Sequence, residues 1–224
     1  MIKHSILILL FLFYNAAYTQ QDYYFPERNE DWIVKNPTVY KINGEKLTEV
    51  IEFARSNEYV GSRDLRIAIL KGFEREPFHE ILGPTKKRGG PTGMILKNGY
   101  IVASWGDTKR VDMTFSVTKS FLSTIAGLAY DSNLIANEND KVAKYIWDGT
   151  FDGNHNSKIT WQHLLQQNSD WSGELWGGKD WADRPPREGG LDDWKFRTLN
   201  EPGTVMEYND VRVNVLAYAL THVW

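Results

Sequence analysis

Apolar positions along this chain switch between two spacings, and the switches mark out its elements. From Gly93 to Gly106, runs rich in β-branched and aromatic residues flank Asn98-Gly99. That pair tolerates the positive φ of a tight turn, so the segment predicts an antiparallel hairpin. From Thr114–Ser116 onward the spacing becomes helical, with Phe121, Leu122, Ile125, Leu128 and Ala129 in one stripe. The same period predicts a helix over Lys46–Asn57, aligning Leu47, Val50, Ile51 and Ala54. It predicts another from Val211 to Trp224, with Val211, Val215, Leu216, Ala219 and Leu220 on one face. Arg66–Leu70 reads as a short first strand, Asp22–Pro37 as extended and polar. Gly83–Pro91 reads as a loop, its Lys86, Lys87 and Arg88 forming a solvated face.

The first residues follow a different logic. Met1 to His4 is a short basic leader, Ser5 to Tyr14 an apolar run, and small and polar residues follow to Gln20. This pattern predicts an export signal over residues 1–20, cleaved between Ala17 and Gln21 and too short to span a bilayer. An uncleaved anchor is the alternative. The protein is thus expected in a periplasm or secreted, without stable membrane insertion after cleavage. Composition narrows the rest. With 224 residues, 42% of them hydrophobic, the chain can bury a core. A net charge of −3 with no basic stripe argues against nucleic acid as a partner. There is no cysteine, which excludes disulfides, thiolate metal sites and a lipoprotein anchor, and the five histidines lack ligand spacing. No metal and no cofactor is expected.

Candidate chemistry concentrates where the second helix begins. Ser116 alone among the serines has a lysine, Lys119, three residues on. Residues i and i+3 share a helix face. A lysine held there can take the serine's proton if its ammonium is partly desolvated and its pKa falls. This is the Ser-x-x-Lys arrangement of acyl-transfer enzymes. Ser116 would also lie in the first helical turn, where free N–H groups and the helix dipole favour negative charge. The plain alternative is a solvent-facing Ser/Lys pair on an amphipathic helix.

The run Met113 to Phe121 resembles the nucleophile motif of the serine β-lactamase and penicillin-binding-protein superfamily, most nearly its β-lactamase-related hydrolases and esterases. Ile159 to Ser169 resembles the helix and turn that follow the nucleophile helix there. Glu201 to Asp210 resembles the Pro-Gly-Thr loop leading to the second catalytic motif, Tyr-x-Asn. The resemblance covers residues 93–224. It implies an α+β fold, an antiparallel sheet flanked by helices plus a mainly helical lobe. It also implies that Tyr208 shares the proton work with Lys119, while Asp210 replaces the asparagine that holds a substrate's amide carbonyl. An ionised aspartate only accepts hydrogen bonds, and it would repel a substrate's acid group. That argues against a good β-lactamase and leaves an ester, amide or peptide substrate open.

The family's third motif, Lys-Thr-Gly or His-x-Gly, does not occur in these residues, and the last helix stops without a cap. The expectation is therefore a fragment, inactive as it stands, that lacks the C-terminal part of its sheet. A natural short form is the alternative. The division expected is residues 21–112 as an N-terminal helix-and-sheet part and 113–224 as nucleophile helix and helical lobe. Tryptophans 161, 171, 176, 181 and 194 crowd a Gly/Asp/Pro-rich stretch. They either pack a loop or, at Trp176 and Trp181, wall a substrate cleft beside Ser116. The functional expectation is an exported serine hydrolase with Ser116, Lys119 and Tyr208 as catalytic residues and Asp210, Trp176 and Trp181 contacting a small or peptide-like ester or amide. The other class is a catalytically silent relative that binds a cell-wall fragment or a protein partner.

Overall fold

The structure is a computed structural model that describes residues 23–224; the export-signal reading lies outside these residues. In chain order the elements are α1 (Gly44–Ser56), α2 (Leu65–Gly72), β1 (Gly93–Lys97), β2 (Tyr100–Trp105), α3 (Thr118–Asp131), α4 (Gly153–Asn156), α5 (Trp161–Leu165), β3 (Glu174–Leu175), β4 (Gly178–Lys179), α6 (Leu191–Lys195) and α7 (Asp210–Val223). Among the described residues this is a mixed α+β chain, with two two-stranded sheets. It gathers into two compact units, one holding 23–61 and 88–112, the other 62–87 and 113–224.

In the first unit, β1 and β2 pair antiparallel across Asn98 (φ 53°) and Gly99 (φ 85°). Both residues take the left-handed conformation that this turn requires. A Cβ at Gly99 would also meet the Tyr24 carbonyl oxygen at 1.7 Å, so only glycine fits there. Residues 33–35 bond to the backbone of Ile101 from its other side, extending the hairpin. Helix α1 begins on Asn43, whose side chain accepts from the Lys46 N–H at 3.0 Å. Its expected stripe is only half-buried at Leu47, Ile51 and Ala54, and Val50 is exposed.

The second unit corrects one expectation. Arg66–Leu70 is helix α2, not a strand, because the Asp64 carboxylate caps it, accepting from the N–H groups of Arg66 and Ile67. A five-residue apolar run does not distinguish strand from buried helix by period, and the cap decides it. The core lies mainly between α3, α5 and α7, where Ala126, Ala129, Trp161, Leu164, Val215, Leu216 and Ala219 are buried together. All five residues expected on the inner face of α7 are buried. On α3 the inner face is narrower than expected. Leu122, Ala126 and Ala129 face the core, whereas Phe121, Ile125 and Leu128 are exposed. Alanines thus pack in the core shared with α7, and the bulkier residues are left on the outer flank.

Helix α5 is set by a reciprocal cap. Thr160 Oγ1 accepts from the His163 N–H and His163 Nδ1 accepts from the Thr160 N–H, both at 3.2 Å. Burial lowers the His163 pKa, which favours the neutral ring that this acceptor role needs. Thr160→Ala should cost about 1 kcal/mol by loss of the cap, read as a lower denaturation midpoint at unchanged slope. The turn after α5 then holds a distant loop. The Gln167 and Asn168 carbonyls accept from the N–H groups of Glu207 and Gly203, and Gln167 Oε1 accepts from the Asn209 N–H. Asn209 in turn caps α7, accepting from the Arg212 N–H at 3.1 Å. Tyr208 and Asp210 are thereby fixed at the start of α7.

Candidate active site

Phe115–Val117 forms a single 3-10 turn that runs directly into α3. Phe115 has φ 48°, a rare conformation for a bulky residue and one that concentrates at functional sites. It precedes Ser116, which is exposed at the helix start. Lys119 Nζ donates to Ser116 Oγ at 3.2 Å, and Tyr208 Oη lies 2.7 Å from the same oxygen. Two proton-carrying groups, one from the same helix and one 92 residues away, thus converge on one hydroxyl.

Asp210 orders the charges around them. Its Oδ1 lies 2.6 Å from Lys119 Nζ, an ion pair without hydrogen-bond alignment, and its Oδ2 accepts from Arg184 Nη2 at 3.0 Å. Both cations also approach the Tyr208 ring, Lys119 Nζ at 4.9 Å and the Arg184 guanidinium at 4.7 Å. The consequences for protonation are opposite. Burial by itself would pull the Lys119 pKa down, but the Asp210 carboxylate and Tyr208 outweigh it and raise the pKa above its ordinary value. Burial would push Tyr208 up, but hydrogen bonds to Lys119 and Ser116 prevail and lower it. Asp210 thus favours the ammonium form of Lys119, and the bonds to Lys119 and Ser116 favour the ionised form of Tyr208.

Ser116, Lys119, Asp210 and Arg184 line one pocket of about 370 Å³, with Phe73, Phe115, Leu122, Val213 and Ala217 as its apolar wall. Of the residues singled out on sequence, Ser116, Lys119, Tyr208 and Asp210 come together. Trp176 and Trp181 do not line this pocket. Trp176 stands exposed on the β3–β4 turn with its ring against Tyr218, and Trp181 packs edge-on against Phe78 at 5.9 Å. Arg184, Asp183 and Glu76 were not singled out. Arg184 takes φ 51°, its N–H donates to Glu76 Oε1 at 3.2 Å, and Asp183 accepts from the N–H of Asp210. Burial raises the pKa of both Asp183 and Glu76, and each is raised further by a neighbouring acid, Asp210 and Asp183 respectively. Asp183-Arg184 preceding a Pro-Pro pair was the available signal, since a polar pair braced by two rigid residues marks a shaped loop. Among the described residues no cluster of acids and histidines could hold a metal ion.

No protein-family model and no curated protein sequence matches the chain. A solved structure named "Putative 6-aminohexanoate-dimer hydrolase from Bacillus anthracis" aligns with 90% of this chain at 15% identity and a TM-score of 0.43. The chain spans 50% of the length of that structure. A likeness this distant assigns no role to any residue, and the chemistry of the site rests on its own geometry.

Proposed function

We propose that this chain carries the nucleophile of a serine hydrolase that forms an acyl-enzyme on Ser116 from an ester or amide. The observation that carries the reading is the convergence of Tyr208 Oη and Lys119 Nζ on Ser116 Oγ, at 2.7 Å and 3.2 Å. Tyr208 as phenolate takes the Ser116 proton while Oγ bonds to the carbonyl carbon, and the Lys119 ammonium stabilises the phenolate beforehand. The carbonyl oxygen becomes an oxyanion beside the Ser116 N–H, at the start of the 3-10 turn that leads into α3. When the tetrahedral species collapses, Tyr208 returns the proton to the departing alcohol or amine. A water, deprotonated by the regenerated phenolate, then attacks the acyl carbon, and Tyr208 passes that proton to Ser116 Oγ as the acyl ester breaks. Export remains part of the proposal, resting on the leader pattern of residues 1–20.

A fluorophosphonate, which reports an activated serine without needing the true substrate, tests the reading. Folded chain is expected to gain one adduct on the peptide bearing Ser116, and heat-unfolded chain none. A folded chain that never labels at Ser116 overturns the proposal and leaves a binding module as the better description.

A further inference from the structure

We infer that Arg184 selects the ligand of this pocket by reading a carboxylate on it, so that the acyl group offered to Ser116 is a short apolar chain ending in an acid. The inference rests on the serine-hydrolase reading for the word acyl, but its recognition half stands on separate observations.

Arg184 borders the same pocket as Ser116, and its side chain is 39% exposed. Only Nη2 is engaged, by Asp210 Oδ2; Nη1 and Nε make no hydrogen bond to any described residue. A guanidinium is a planar fork whose paired donors match a carboxylate, so a half-used fork beside a pocket is a ready acid receptor. It is also held in place. Its guanidinium packs against the rings of Tyr208 and Phe73, at 4.7 Å and 5.6 Å. The carbonyls of Pro185 and Pro186, just beyond it, accept from Arg75 Nη2. A receptor fixed before binding loses little side-chain entropy when the ligand arrives.

Charge and shape agree with this assignment. The charged residues lining the pocket are Lys119, Arg184 and Asp210, two cations to one carboxylate while Tyr208 keeps its proton. On sequence, Asp210 was expected to repel an acid group. In the fold its carboxylate is already paired, at 2.6 Å with Lys119 and at 3.0 Å with Arg184, which removes most of that repulsion. The rest of the wall is mainly apolar, and about 370 Å³ suits a small ligand. A half-ester of a short dicarboxylic acid has the required parts: a carbonyl for Ser116, a methylene chain for the wall and a carboxylate for Arg184.

The experiment compares two probes of similar size, monoethyl glutarate and ethyl pentanoate. Calorimetry on Ser116→Ala chain reads binding without turnover. The anionic probe is expected to bind about 10-fold tighter or more, with the advantage shrinking as salt rises from about 0.05 to about 0.5 M. Adding Arg184→Gln should bring the two affinities level, and Arg184→Lys should retain part of the difference, because it keeps the charge but loses the fork. Equal affinity for the two probes, including no measurable binding of either, overturns the inference. So does a preference that survives Arg184→Gln. Failure of the serine chemistry is read separately, as absence of a Ser116 adduct in unsubstituted chain, and leaves the affinity ratio intact.

Discussion

Asp170→Ala is expected to destabilise the second unit by about 3–5 kcal/mol, the cost of breaking a buried ion pair by removing one partner. Asp170 is 2% exposed. Its two oxygens take Arg197 in a two-point contact, Arg212 Nη2 at 2.6 Å and the Asn200 N–H at 2.6 Å. Arg212 is equally buried and also reaches Glu207 at 2.8 Å and the Trp171 carbonyl at 3.0 Å. Removing the carboxylate takes from Arg197 its two-point partner, leaves buried Arg212 to Glu207, Asp180 and the Trp171 carbonyl, and releases the Asn200 amide just before the loop that carries Tyr208. Chemical denaturation should show the loss as a lower midpoint, and a change within about 0.5 kcal/mol would mean the cluster contributes little.

The pH dependence has a definite sign. Burial would raise the Asp170 pKa, but Arg197, the Asn200 N–H and Arg212 outweigh it and lower the value. A group with a lowered folded pKa stabilises the fold above its unfolded pKa, about 3.9. That contribution fades as pH falls through the folded value. Asp180 acts the other way, because burial raises its pKa despite Arg212. The difference in stability between unsubstituted chain and Asp170→Asn isolates Asp170. It should be constant above about pH 5 and shrink below about pH 4. A difference independent of pH down to acid unfolding would show that Asp170 acts through packing and hydrogen bonds rather than charge.

Tyr208→Phe should slow phosphonylation of Ser116 by about 10²–10⁴-fold, the usual contribution of a positioned base. The unsubstituted rate should rise with pH and level off below the ordinary phenol value of about 10, because Lys119 and Ser116 lower the Tyr208 pKa. In Tyr208→Phe that rising limb should vanish, while the retained ring keeps its packing against Lys119 and Arg184. If the limb persists, the base is another group. Lys119 would be the first candidate, although Asp210 raises its pKa and keeps it protonated through the same range.

Local signals carried much of the fold. Asn98-Gly99 between two apolar runs specified the hairpin, and the 3.6-residue period of Val211 to Leu220 specified the buried face of α7. Ser116 and Lys119 could be paired because one helical turn brings them together whatever the rest of the chain does. Arg66–Leu70 failed because its period is ambiguous and the deciding bond comes from Asp64, outside the run. The α3 stripe failed in part because the face turned inward depends on which helix packs against it.

The sequence by itself determined where the candidate nucleophile sits, which residue lies one turn beyond it, and that Tyr208 and Asp210 belong near each other. Those are statements about neighbours a few bonds apart. Only the tertiary structure decided that Tyr208 reaches Ser116, that Asp210 stands 2.6 Å from Lys119, and that Arg184 enters the pocket while Trp176 and Trp181 do not line it. The physical reason is that a proton's affinity for a side chain depends on burial and on the charges within a few ångströms. Here those charges arrive from segments 26 to 92 residues apart, held by hydrogen bonds that no local pattern records.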